Sequence, residues 1–149
     1  MKIETWSTER LSPYARELKK HEKALPKMVA ALQQWGFRIP ILVSAAGEII
    51  DGKLRYLAAV QLGMQEIPVV VADDLTPTQI RTFRLLVNRS ATWADWNDES
   101  LRIEMAELRL ALTDLSVTGF DDKELDAILL DAVASGEKDP DSVPEFREP

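Results

Sequence analysis

The stretch from Gly47 to Gly63 leaves this chain few choices. Three glycines break it at fixed points, with short apolar runs between them. Gly47 supplies a turn, because glycine takes positive φ at no steric cost. Glu48 to Ile50 follows as a short strand with two β-branched residues. Asp51-Gly52 signals a chain reversal, and Asp51 is a reasonable N-cap for what comes next. Leu54, Leu57, Ala58 and Leu62 fall on one face of a helix, with Lys53, Tyr56 and Gln61 elsewhere on its surface, and Gly63 stops it. A glycine corner that opens a helix presents unpaired N–H groups and the positive end of the helix dipole. Lys53 and Arg55 add two full charges there, which makes the corner a candidate anion site.

Strand and helix patterns alternate around this corner. Residues 2–7 alternate as an opening strand, ended by Ser12-Pro13-Tyr14, since proline fixes φ and lacks a donor. Leu25, Met28, Val29 and Leu32 recur at helical spacing up to Gly36, and Trp35 is expected to pack. Residues 41–44 and 67–72 are nearly continuous apolar runs, as expected of buried strands. Together with residues 48–50 they predict an α+β (α/β) core over residues 1–74, with a small mixed sheet. From Thr76 the pattern is helical. Thr76-Pro77-Thr78-Gln79 is a capping box, and Ile80, Phe83, Leu86 and Val87 form the expected core face, with Arg81, Arg84 and Arg89 pointing elsewhere. Thr92 to Trp96 is a loop with two indoles, expected to pack rather than to stack on bases. Asn97 or Asp98 then caps a helix with Leu101, Met105, Leu108 and Leu112 on one face. After a break at Gly119, Asp121 to Glu124 opens a last helix with Leu125, Ile128 and Leu129 inward. Residues 75–133 therefore read as a helical extension packed on the core, and the acidic, proline-spaced residues 134–149 as a linker.

With 149 residues, 46% of them hydrophobic, the chain can bury one proper core. No apolar run reaches the ~20 residues of a membrane span and the first residues do not form a signal peptide, so a cytoplasmic protein without a membrane partner is expected. The absence of cysteine excludes disulfides, a thiol nucleophile and a thiolate metal site. Net charge is −7, but it is unevenly spread: residues 1–57 hold ten basic and six acidic side chains, residues 58–149 eight and nineteen. A basic front half suits an anionic partner, unless Lys19, Lys20, Lys23 and Lys27 merely solvate a helix and its approach. His21, the lone histidine in a charged stretch, reads as surface.

The segment Ile49-Ile50-Asp51-Gly52-Lys53-Leu54-Arg55-Tyr56-Leu57-Ala58-Ala59 resembles the central motif of ParB-like N-terminal domains, of the form I-x-x-G-E-R-R-x-x-A-A. Upstream, Gly36 to Val43 resembles the family's strand entry, and downstream, Gly63 to Val71 resembles its G-x-x-x-I-P-V-x-V block. Lys53 and Leu54 depart from the motif's Glu and first Arg, whereas Gly52 and Arg55 carry over. The resemblance implies a ParB/sulfiredoxin-like fold, with phosphate or nucleic acid held at the corner by Gly52 and Arg55, beside the added charge of Lys53, and helped by Arg16 of a P-x-x-R pattern and by Asn88. Sulfiredoxin-like relatives need a cysteine at the corner, and this chain has none. Val87 stands where nucleotide-binding relatives carry a Glu before that Asn, so no protein metal site is expected. No cofactor is expected in this domain itself; the one the resemblance allows is a nucleotide with Mg. Farther on, Leu85 to Arg89, Trp96 to Leu101, Leu115 to Asp121 and finally Asp139 to Glu145, with its Val-Pro-Glu run, resemble the subfamily in which such a domain precedes an N-6 adenine or N-4 cytosine DNA methyltransferase. No Asp/Asn-Pro-Pro-[YFW] tetrapeptide or Gly-rich cofactor loop is present, so these residues cannot methylate alone.

Two classes of function follow. The chain is an accessory DNA-modification module, binding DNA or nucleotide and positioning a C-terminal methyltransferase domain. Alternatively it is itself a ParB-like nuclease or nucleotide hydrolase. Hydrolysis needs an activated water, and only Asp51 and Glu48 offer carboxylates near the corner. Binding is the favoured expectation, with a protein-interaction domain as a third reading.

Overall fold

The computed structural model describes residues 1–112 and 114–138, and it divides into two compact units, Met1–Ala94 and Asp95–Pro149. The first unit contains β1 (Ile3–Ser7), a short 3-10 helix (Thr8–Arg10), α1 (Leu25–Trp35), β2 (Ile41–Ser44), β3 (Ile49–Asp51), α2 (Lys53–Gln61), β4 (Glu66–Ala72) and α3 (Pro77–Ser90). The second holds α4 (Asp98–Ala111), a 3-10 helix (Leu115–Thr118) and α5 (Asp122–Lys138). The class is α+β, with each expected strand present to within a residue or two of its ends. No described helix is long and apolar enough to cross a membrane.

The four strands form one mixed sheet in the order β1-β4-β2-β3. Strand β4 runs antiparallel to β1 and parallel to β2, and β2 pairs antiparallel with β3. The parallel pair needs a crossover, which the corner and α2 provide between β3 and β4. Ile41, Val43, Ile67 and Val69 point to one face and are fully buried, joined by Trp6, Leu11, Leu32, Ile49, Ala58 and Ala59. Leu25, Met28 and Val29 of α1 pack against that cluster, as their spacing predicts. Tyr56 also packs there, although the helical pattern placed it elsewhere on the surface.

The opposite face of the sheet is only half covered. Residues 41–44 and 67–72 are therefore not buried throughout, and fully buried residues alternate with partly exposed ones at the start of each run. In the β2–β3 pairing the register shifts between Leu42 and Val43, a bulge that leaves Ile49 and Ile50 both buried. Strand β3 lies at the edge of the sheet. Ser12 bridges to it: the Ile49 N–H donates to Ser12 O at 2.9 Å, and the Ser12 N–H to Gly47 O at 2.9 Å.

Helix α3 belongs to the first unit, so this unit extends to Ala94, twenty residues past the expected end of the core at residue 74. Its capping box is fully formed, with Thr76 and Gln79 each bonding the other's backbone N–H. The buried side chain of α3 is Arg84, while Phe83 and Leu86, expected to face the core, are exposed. In the second unit Asn97 caps α4 and Asp121 caps α5, whose Glu124 completes a second capping box. Met105 and Leu125 are buried between α4 and α5, which pack on each other. Helix α5 runs to Lys138, so residues 134–138 are helical rather than linker. The rest of the expected linker, residues 139–149, lies outside the described residues. Trp35 and Trp93 are exposed, and Trp96 is 67% exposed with a tilted ring contact to Phe120 at 5.7 Å, so the indoles do not pack into a core as expected.

Candidate anion-binding site

The corner is built by two glycines in backbone conformations that other residues rarely adopt. At Gly47 (φ 96°) a Cβ would run into the Arg10 carbonyl oxygen. At Gly52 (φ 114°, ψ 22°) a Cβ would lie 3.0 Å from Ile41 Cγ1 and 3.0 Å from Arg55 Nη2. Gly52, not Asp51, is the N-cap of α2, and no side chain caps this helix. The first intrahelical bond runs from the Tyr56 N–H to Gly52 O at 3.0 Å, so the N–H groups of Lys53, Leu54 and Arg55 precede it. This is the bare, positive helix end that the sequence implied.

These residues floor a cleft of about 360 Å³. Its other wall comes from the segment Tyr14 to Met28 and from Arg84 and Asn88 of α3. Five cations line it, namely Lys19, Lys20, Lys53, Arg55 and Arg84, against one carboxylate, Asp51. Leu18, Ala24, Met28 and Leu54 give it an apolar component.

Four of the residues singled out in the sequence as phosphate ligands, Gly52, Lys53, Arg55 and Asn88, meet in the cleft. Arg16 does not line it, and borders a separate shallow depression with Tyr14 and Ala15. Arg55 is half-buried and already engaged: Nε donates to Ile39 O at 3.1 Å and Nη2 to Pro40 O at 3.0 Å. It ties α2 to the entry of β2, and burial lowers its pKa, with Asp51 acting in the opposite sense. The Asn88 amide donates to Arg84 O at 2.8 Å on its own helix. Of the two candidate carboxylates, Asp51 lines the cleft, whereas Glu48, 43% exposed, is held by Arg84 at 3.0 Å. Among the described residues no group of three His, Asp or Glu side chains could hold a metal.

Sequence reasoning missed Arg84, His21 and Tyr14. Arg84 is 3% exposed. Its Nε and Nη2 donate to Ile49 O at 3.3 and 3.1 Å, and Nη2 also to Glu48. The Tyr14 ring lies over its guanidinium, 3.8 Å away. The available signal was the i, i+4 spacing of Arg84 and Asn88, which puts them on one face of α3. His21, expected at the surface, lines the cleft. Burial and then Lys53 hold its pKa below the usual histidine value, against the opposing pull of Glu17 and Glu22.

The profile of the ParB-methyltransferase HTH domain matches residues 99–149, which contain α5 and all but the first residue of α4. The ParB-like nuclease domain-containing protein YnaK of Escherichia coli is 36% identical over 80 residues, 53% of this chain and 92% of that protein. The chromosome-partitioning protein Spo0J of Thermus thermophilus is 32% identical over 83 residues, 52% of this chain but 30% of that protein. Among solved structures, the C-terminally truncated chromosome-partitioning protein ParB of Caulobacter crescentus, complexed with CTP-gamma-S, superposes with a TM-score of 0.66 at 16% identity, over 92% of this chain and 89% of that one. A Pnob8-like ParB-N domain gives 0.52 at 15% identity, over 91% and 63%. The sheet, the glycine corner and the near-complete overlap with the Escherichia coli protein agree: this chain belongs to the ParB-like family.

Proposed function

We propose that this chain is the ParB-like module of a DNA-modification protein, and that the cleft at the head of α2 binds the phosphates of a nucleotide or of DNA. One observation carries the reading: Lys19, Lys20, Lys53 and Arg55, together with an Arg84 already paired to Glu48, line the cleft beside a single carboxylate, Asp51, around an uncapped helix N-terminus. The size of the cleft favours a nucleotide over duplex DNA, because about 360 Å³ is a small-molecule pocket and a duplex would lie across its mouth. The nucleotide named with the Caulobacter structure supports the same choice. The methyltransferase association is supported by the name of the profile that matches residues 99–149 and by the Val-Pro-Glu run near the end of the chain.

A nucleotide brings Mg with it. The lining offers Asp51 and the Asn88 amide, enough to meet a metal already carried on phosphates and too few for a dedicated cage. The metal would neutralise phosphate charge. Asp51 would orient it, while Lys53 and the α2 N–H groups hold the phosphate oxygens. The second reading, a nuclease or hydrolase, is favoured by the name of the Escherichia coli relative and by Asp51 in the cleft. Against it, Lys53 and Leu54 stand where the family motif has its Glu and first Arg, and Asp51 is the one carboxylate lining the cleft. A protein-interaction domain, docking a partner on the acidic rear helices, is the third reading.

Titrating nucleoside triphosphates with Mg into the full chain by calorimetry tests the proposal. Binding is expected, with Lys53→Ala weaker by ~1–3 kcal/mol and little release of phosphate on prolonged incubation. A wild-type chain that binds neither nucleotide nor DNA would leave the protein-docking reading. Mg-dependent turnover or DNA nicking that Asp51→Asn abolishes would establish the hydrolase.

A further inference from the structure

Arg84 is the one charged side chain fully buried among the described residues. An arginine carries five N–H donors, and three of the corresponding bonds are made here. The Nε and Nη2 edge closes on Ile49 O, and Nη2 also reaches Glu48 Oε1. The Nη1 atom has no partner and no contact with solvent. A buried donor left without an acceptor is rare, more so on a full charge. Covering the Ile49 carbonyl does not account for it, because the Nε and Nη2 edge already does so. The same side chain lines the cleft at the head of α2. The Tyr14 ring, which also lines the cleft, covers the guanidinium.

Resting on the reading of that cleft as a phosphate site, we propose that Arg84 is a ligand-binding residue, whose Nη1 donates to an anionic oxygen once the Tyr14 ring has moved aside. Its place differs from that of Lys19, Lys20 and Lys53. Those residues are less deeply buried and attract any polyanion. Arg84 is desolvated and held from behind by Glu48 and Ile49, so a partner at Nη1 gains a charge-assisted bond with little further ordering of the side chain. The ligand chemistry that fits is a compact oxyanion such as a terminal phosphate, seated between α3 and the N-terminus of α2. Tyr14 then sets access, exchanging its ring contact for the ligand.

Inorganic pyrophosphate titrated into the full chain tests this, followed by calorimetry and by the side-chain 15N resonances of arginine. In the wild type the Arg84 signals are expected to shift on binding. Arg84→Lys, which keeps the charge but loses the fork, is expected to bind about tenfold more weakly or worse. Tyr14→Leu, which uncovers the guanidinium, is expected to bind at least as well as the wild type. Wild-type binding that Lys53→Gln weakens, with Arg84→Lys unaffected or the Arg84 resonances unmoved, would overturn the role of Arg84 and leave the cleft reading standing. No pyrophosphate binding by the wild type would overturn both. If Arg84→Lys fails to fold, the wild-type resonances and Tyr14→Leu decide.

Discussion

A methyl group at Gly52 would face both Ile41 and Arg55 at 3.0 Å, on a backbone already at positive φ. Gly52→Ala is therefore expected to cost about 1–3 kcal/mol, read as a lower midpoint in thermal or denaturant unfolding. The glycine was legible in the sequence because an Asp-Gly pair between an apolar strand and an amphipathic helix has one common use. Arg84 was not. Hydropathy marks arginine as outward, and the apolar residues around it drew the core face of α3 through Phe83 and Leu86. In the fold it is Ile80, Arg84, Val87 and Asn88 that turn inward, about one position round the helix. The long apolar stem of an arginine tolerates that burial, and its head is held by a backbone carbonyl that no hydropathy pattern reveals. His21 carries a pH prediction. Its folded pKa lies below the unfolded value of 6.5, chiefly through burial and then Lys53, so below pH 6.5 the unfolded chain binds more protons. Stability is expected to be unaffected by this group above pH 6.5 and to fall as pH drops through the lowered value, a decline that His21→Gln removes from a series of denaturant titrations.

At the level of elements, end signals proved more legible than faces. The capping box at Thr76 is formed as its four residues predict, and Thr76→Ala is expected to cost about 1 kcal/mol, measurable as a shift in the denaturant midpoint. Asn97 and Asp121 cap their helices in the same way. Asp51 was a reasonable cap by residue type, but the left-handed turn at Gly52 places the cap one residue later. That shift is what leaves the head of α2 bare. The end of α5 was misplaced because residues 134–138 carry little apolar periodicity, and helices do not need it over their last turn. The match of residues 99–149 to a helix-turn-helix profile was invisible to periodicity, which finds helices but not the family they belong to.

For the whole molecule, charge divides along the boundary between the units. Residues 1–94 carry thirteen basic and nine acidic side chains, residues 95–149 five and sixteen. Association with any polyanion should therefore run through the first unit and weaken steeply with salt. Lys19→Gln with Lys20→Gln is expected to lower DNA or polyphosphate retention at low salt and to flatten its salt dependence, read by fluorescence anisotropy. Asp122→Asn with Asp126→Asn, on the exposed start of α5, should not lower it. The bonding of Ile49 has a different kind of consequence. Its N–H goes to Ser12 and its carbonyl to Arg84, so an outermost strand offers no free template at that residue to a second chain. Removing Arg84 would uncover an acceptor at the rim of an apolar sheet. The cost would then appear as concentration-dependent aggregation, a danger that the same guanidinium holds off while one end of it remains unbonded.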